Sequence, residues 1–269
     1  MLHSPSTFSG PTRLQLAVRS NRAANSDAYE DCKLSIIIPV RDEAENVAPL
    51  VQEIRAALIE HAPFEIIFVD DASTDETAAR ILQARAQFPH VRLLRLAIGC
   101  GQSVAVRIGV QAARAPWIVT LDGDGQNDPA DIPMLLQSLN RADRNVRLVM
   151  GNRLQRRDTF VRRLSSRIAN GIRRRMLHDL THDTGCGIKL FHRDTFLDLP
   201  SFDHMHRFLP ALFIRAGAEV ISVPVRHRPR THGRSKYGVW DRLWVGIIDL
   251  FGVRWLIRRA PRLTDVLEE

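Results

Sequence analysis

The chain has 269 residues, 45% hydrophobic and 25% charged, enough for one large or two small domains with a real core. Its 38 Lys+Arg against 30 Asp+Glu give a net +8 and a pI near 10.3, which suits nucleic acid, an anionic membrane surface or phosphate-bearing substrates. Three cysteines (Cys32, Cys100, Cys186) without CxxC or Cys/His spacing argue against a disulfide framework or zinc site; with no signal peptide and no apolar run of about 18 residues, a cytoplasmic chain without an ordinary spanning helix is expected.

Residues 1–31 are rich in Ser, Thr, Pro, Arg and Asn and read as a disordered tail. From Leu34 the pattern changes. Leu34–Pro39, Glu65–Asp70, Val91–Leu96 and Trp117–Asp122 are short, β-branched and apolar on both faces, as covered parallel strands are. Glu45–Glu60, Asp75–Gln87 and Ser103–Ala113 carry helical spacing between them. This alternation predicts an α/β fold: a doubly wound, mostly parallel, Rossmann-like sheet over residues 32–237. Later come strands near Arg147–Gly151 and Glu219–Val225 and a basic helix around Phe160–Leu177. Residues 238–269 are expected to form an amphipathic, membrane-interface helix and a tail.

In such sheets ligands bind beyond the carboxyl ends of the strands, and acidic residues fall there. Asp70 and Asp71 close the second strand; Asp122 and Asp124 close the fourth, in Leu121–Pro129 (LDGDGQNDP). Two carboxylates spaced by one residue present hard oxygens that suit Mg²⁺ or Mn²⁺. Gly123 and Gly125 are read as letting the backbone approach a bulky ligand. An isolated DxD also occurs in solvated turns; its place after an apolar strand favours the metal reading. Ser73 or Thr74 is expected to cap the next helix.

The segments IIIPVRDEAENV, FVDDASTDET, LDGDGQNDP, GNR, DTGCGIKLF and RTHGRSKYG occur in the order seen in family 2 glycosyltransferases. The chain resembles that family from about Leu34 to Tyr237, in the manner of its dolichyl-phosphate mannose synthase and polyprenyl-phosphate glycosyltransferase branch. The resemblance implies a GT-A-type fold and an inverting hexosyltransferase acting on a GDP- or UDP-sugar. It implies that Pro39, Arg41, Glu43, Val69 and Asp71 line the nucleotide pocket, and that Asp122, Asp124 and Gln126, with Gly123 between, hold the metal and donor diphosphate. Asp124, Arg153, Arg230 and Lys236 are the implied catalytic residues, the last three as cations around the donor and acceptor phosphates. Arg41 stands where relatives often have Tyr, Gly123 and Gly125 replace the commoner Ala and Leu, and the QxxRW motif of processive synthases is absent.

Such an acceptor phosphate already carries about −1.5 to −2 charges, so it needs cations to align it rather than a base. Arg173–Arg175 are a looser reserve of such charge. From Arg153 to Arg175 there are nine Arg and one Asp, and Arg226–Lys236 holds five more cations. In Val239–Ile257, Trp240, Trp244 and Trp255 fall within roughly 60° of one another at 100° per residue. Together these predict peripheral attachment to the cytoplasmic face of a membrane. The same fold acting on a soluble or glycan acceptor is the alternative. A nucleic-acid-binding protein is a reading of pI alone: the basic stretches lack interleaved aromatics.

Overall fold

A computed structural model describes residues 32–61, 63–153, 171, 173–177, 179, 181, 183–229 and 239–259. The expected N-terminal tail, most of the basic helix around Phe160–Leu177, and both Arg230 and Lys236 lie outside the described residues.

Seven strands among the described residues form one mixed sheet: β1 (Leu34–Val40), β2 (Phe64–Asp70), β3 (Val91–Arg95), β4 (Trp117–Thr120), β5 (Val146–Arg153), β6 (Lys189–His192) and β7 (Glu219–Val225), ordered β3-β2-β1-β4-β6-β5-β7. β1 is parallel to both β2 and β4, and β2 to β3. Short β6 is antiparallel to β4 and β5, while β7 runs parallel to β5. The sheet thus keeps the expected parallel half and adds an antiparallel insertion. Order reverses at β1, with β2 on one side and β4 on the other. The ends of β1 and β4 therefore open the crevice where such sheets bind ligands.

Period two explains why β1 is almost wholly apolar, with buried Ser35, bonded to Glu65, the exception. Leu34, Ile36, Ile38 and Val40 enter one core cluster, while Ile37 enters the cluster on the opposite face. Helices α1 (Ala44–Leu58), α2 (Thr77–Gln87) and α4 (Ile132–Arg141) cover the first face. On α1, Val47, Leu50, Val51, Ile54 and Leu58 are buried at spacings of three and four, each worth about 1.5–3 kcal/mol. Arg55 lies 3.7 Å over the Phe88 ring, tying α1 to the end of α2. Helix α3 (Gln102–Ala112), short α5 (Arg193–Leu197) and α6 (Leu209–Arg215) cover the other face. Leu177, within a helical stretch at 173–177, is also buried there.

The helix α7 (Val239–Arg258) differs from its expectation. Val253 is buried in the second cluster, with Leu250 and Ile257 packed against it, and the Leu256 carbonyl accepts from Arg215 Nε at 2.9 Å. On the opposite side Ile248, Phe251 and Trp255 stay 60–70% exposed. Its described side chains are apolar on two faces, so the helix is not simply amphipathic.

Candidate active site

The loops after β1 and β2 interlock. Asp42, at φ +52°, accepts from the Thr74 amide at 2.7 Å, and its own amide donates to the Ser73 hydroxyl at 2.9 Å. The Glu43 amide donates to Thr77 Oγ1 at 2.8 Å. This corrects the capping expectation. Helix α2 starts at Thr77, after Glu76, and neither Ser73 nor Thr74 caps it, because both are engaged by Asp42.

Asp71 is buried, and both its carboxylate oxygens accept backbone bonds, from Cys100 at 2.6 Å and Gly101 at 3.0 Å. It fastens the turn that opens α3, and Arg41 Nη1 lies 4.0 Å away. Pro39 is partly exposed at the rim. Val69 is not a lining side chain: it is fully buried and faces α3 beside Gly109. Glu43 borders a cavity of about 430 Å³ whose rim also carries Asp42, Glu45, Asp75, Glu76 and Arg80, a charge balance unsuited to phosphates.

Strand β4 ends at Thr120, so Asp122 and Asp124 sit on the following loop. The Leu121 amide still bonds Ile37 O at 3.1 Å, fixing the loop's origin against β1. A Cβ on Gly123 would stand 2.6 Å from Val40 Cγ1 and 3.1 Å from Pro39 O; its smallness serves contact with β1 rather than with a ligand. Gly125 takes φ +73°, which favours glycine.

Asp122 Oδ1 accepts from Gln102 Nε2 at 2.9 Å, at the start of α3, and the Asp122 amide donates to Asn127 Oδ1 at 3.1 Å. A Cβ on Gly187 would lie 2.1 Å from Asp122 Oδ2, so Gly187 forms a cradle that only a missing side chain permits. Burial pushes the Asp122 carboxyl above its usual range and neighbouring Asp124 adds to this; Lys189, Arg153 and the Gln102 hydrogen bond act against it. Asp124 is partly exposed, with Oδ1 accepting from the Gln126 amide at 3.1 Å. The Gln126 side chain turns toward the segment after β7, donating to Arg228 O at 3.5 Å.

These residues fit a divalent cation. Two hard carboxylates stand close together, and the Asp122 carboxyl is raised first by burial and then by Asp124, a cost that a cation relieves. No group of three or more His, Cys, Asp or Glu able to hold an ion occurs among the described residues. A donor set of two carboxylates leaves coordination positions for phosphates, the manner in which Mg²⁺ is usually bound.

The expected cations are more constrained than the sequence indicates. Arg153 forks onto Asp183, with Nε and Nη2 at 2.6 and 2.7 Å from its two oxygens. Arg173 is buried, 3.3 Å from Asp179 and bonded to Thr181 O, so it offers no reserve to an acceptor phosphate. Lys189 is buried and donates to Cys186 O; burial pushes its ammonium down, with Cys186, Asp122 and Asp183 opposing. His206 Nδ1 lies 2.7 Å from Ser103 Oγ, the residue next to Gln102, and burial pushes it down to about 3.

Gln102, Asn127, Asp183, Gly187, Lys189 and His206 escaped sequence reasoning. Asp183, Gly187 and Lys189 lie inside DTGCGIKLF, a segment the resemblance flags without giving roles.

The model of "Glycosyl transferase family 2" matches residues 35–199. The dodecaprenyl-phosphate galacturonate synthase of Rhizobium johnstonii is 34% identical over 255 residues, covering 93% of this chain and 74% of that one. The undecaprenyl-phosphate 4-deoxy-4-formamido-L-arabinose transferase of Edwardsiella ictaluri is 32% identical over 209 residues, 77% of this chain and 63% of the relative's length. Among solved structures, glucosyl-3-phosphoglycerate synthase from Mycobacterium tuberculosis, in complex with Mn²⁺ and UDP, superposes with TM-score 0.62 at 17% identity over 87% of this chain and 83% of that one. Mannosyl-3-phosphoglycerate synthase from Rubrobacter xylanophilus gives 0.63 at 18% identity over 87% and 77%. The structural likeness carries the fold; the family match and the identity to the Rhizobium protein carry more, and the chain belongs to glycosyl transferase family 2.

Proposed function

We propose that this chain moves a sugar, with inversion, from a nucleotide diphosphate donor to a polyprenyl phosphate at a membrane's cytoplasmic face. The carrying observation is the Asp122/Asp124 pair, set beside the β1–β4 crevice and cradled by Gly187. The polyprenyl-phosphate transferases named above support the acceptor class.

The nucleotide would lie over the ends of β1 and β2, near Pro39, Arg41, Glu43 and Asp71, with Asp71 holding the α3 turn in place. Asp122 and Asp124, with Gln126 beside them, would hold Mg²⁺ or Mn²⁺, which offsets the charge that builds on a departing diphosphate. The acceptor phosphate is already anionic near neutral pH, so the chain's task is to align it and offset repulsion. Arg153, held in plane by Asp183, serves the diphosphate. The Arg228 amide binds Gln126 O beside the carboxylates; the phosphate role of Arg230 and Lys236 is carried by the resemblance of RTHGRSKYG to the family's motif.

Membrane attachment is peripheral in this reading. No helix among the described residues is long and apolar enough to cross a membrane. The exposed Ile248, Phe251 and Trp255 share one side of α7, and exposed Arg258 and Arg259 follow them, an arrangement suited to an anionic bilayer surface. Free Cys32, Cys100 and Cys186 suit the reducing side.

The test incubates purified protein with Mn²⁺, labelled GDP- and UDP-sugars, and either a polyprenyl phosphate or 3-phosphoglycerate. Label entering the organic phase with one donor supports the reading. Label passing only to the soluble acceptor overturns it.

A further inference from the structure

Beyond β7 the chain folds back along the carboxylate loop. The Arg226 amide donates to Asp131 Oδ2 at 2.7 Å, His227 forms an antiparallel bridge with Asn127, and the Arg228 amide donates to Gln126 O at 3.0 Å. The Arg228 guanidinium forks, reaching Glu53 of α1 and Asp128, each at 2.7 Å. Asp128 is buried and also accepts from the Ala130 amide at 3.0 Å, closing the turn before α4. Arg226 lies farther from it, at 3.6 Å, and is mostly exposed. One arginine thus joins α1, the segment after β7 and the distal half of the carboxylate loop.

The loop needs such a tie. Gly123 and Gly125 place no side chain of their own to restrain it, and glycine carries the largest backbone entropy. Its proximal end is held by β1 and by Asn127 on the Asp122 amide. Asp124 is steadied by the amide of Gln126, whose carbonyl accepts from the backbone amide of Arg228. We propose that Arg228 is a positioning residue for the metal-binding loop: its guanidinium ties Asp128 to Glu53 and so keeps the segment whose backbone amide binds Gln126 in register, so that Asp124 meets the cation. This rests on the metal reading given above. A guanidinium suits the role because its rigid fork spans two carboxylates, which a lysine ammonium does not reproduce.

The test measures Mn²⁺ binding to the full chain with UDP present, from the free-Mn²⁺ electron paramagnetic resonance signal, alongside transfer kinetics and thermal midpoints. Arg228→Met is expected to weaken Mn²⁺ binding about tenfold and to raise the Mn²⁺ needed for half-maximal transfer by a similar factor, with kcat at saturating Mn²⁺ falling less than threefold. Arg228→Lys should recover less than half of the loss. Asp128→Asn, which leaves the Glu53 contact, should weaken binding about threefold and add little on top of Arg228→Met. Wild-type Mn²⁺ affinity in Arg228→Met or Asp128→Asn, or a lowered kcat at unchanged affinity, would overturn the proposal. A wild-type protein that binds no Mn²⁺ with UDP overturns the metal reading itself, a separate result.

Discussion

Gly187 shows how much of the site depends on what is missing. A methyl group there would stand 2.1 Å from Asp122 Oδ2 and 2.5 Å from Asn127 Oδ1, and neither can retreat without disturbing the loop. Gly187→Ala is predicted to lower transfer more than about tenfold, at a stability cost of about 1–3 kcal/mol; full activity would contradict the cradle. His206 gives a pH prediction. Its ring, bonded to Ser103, is pushed down to about 3 by burial, with Lys189, Arg207 and His204 adding to the shift. The unfolded chain therefore binds the proton better, and stability falls as pH drops below about 6.5. Comparing urea midpoints at pH 7 and pH 5, His206→Gln should lose roughly 2 kcal/mol less than the wild type. Equal losses would show that the ring titrates normally. At this scale the sequence reveals carboxylates better than cations. Asp122 and Asp124 are legible because an apolar strand precedes them. That Arg153 is bound to Asp183, thirty residues on, is not, since pairing is a property of the fold.

Among the elements, α7 raises the sharpest question. Its buried side packs on the second core, and Phe251 and Trp255 on the other side are 61% and 60% exposed. Replacing both by Ser should leave the thermal midpoint within about 2 °C. Co-sedimentation with anionic vesicles should fall more than about tenfold, since each aromatic buried in lipid contributes about 1.5–3 kcal/mol. Unchanged sedimentation would show that the face serves something else. The parallel strands and first three helices were legible from their periods. Strand β6 was not: four residues, from Lys189 to His192, give no alternation long enough to detect, and its antiparallel insertion is a choice made by the sheet. The two-sided apolar character of α7 was hidden because periodicity cannot distinguish a face turned to the core from one turned outward.

For the molecule as a whole, the +8 charge misleads when taken alone. Arg153, Arg173, Arg226 and Arg228, all from its two basic stretches, sit against Asp183, Asp179 and Asp128. Arg153, Arg173 and Arg228 thus spend their charge on buried carboxylates, while Arg226 stays mostly exposed. What the sheet supplies is a place where β1 and β4 end side by side and a carboxylate pair faces outward. The direct measurement is transfer of labelled sugar to a polyprenyl phosphate by the wild type, the wild type with EDTA, and Asp124→Ala. The account predicts Mn²⁺- or Mg²⁺-dependent label in the organic phase, lost with EDTA and reduced at least about a hundredfold in Asp124→Ala, whose thermal midpoint stays near that of the wild type. An Asp124→Ala variant that transfers at the wild-type rate, or transfer that survives EDTA, would contradict it.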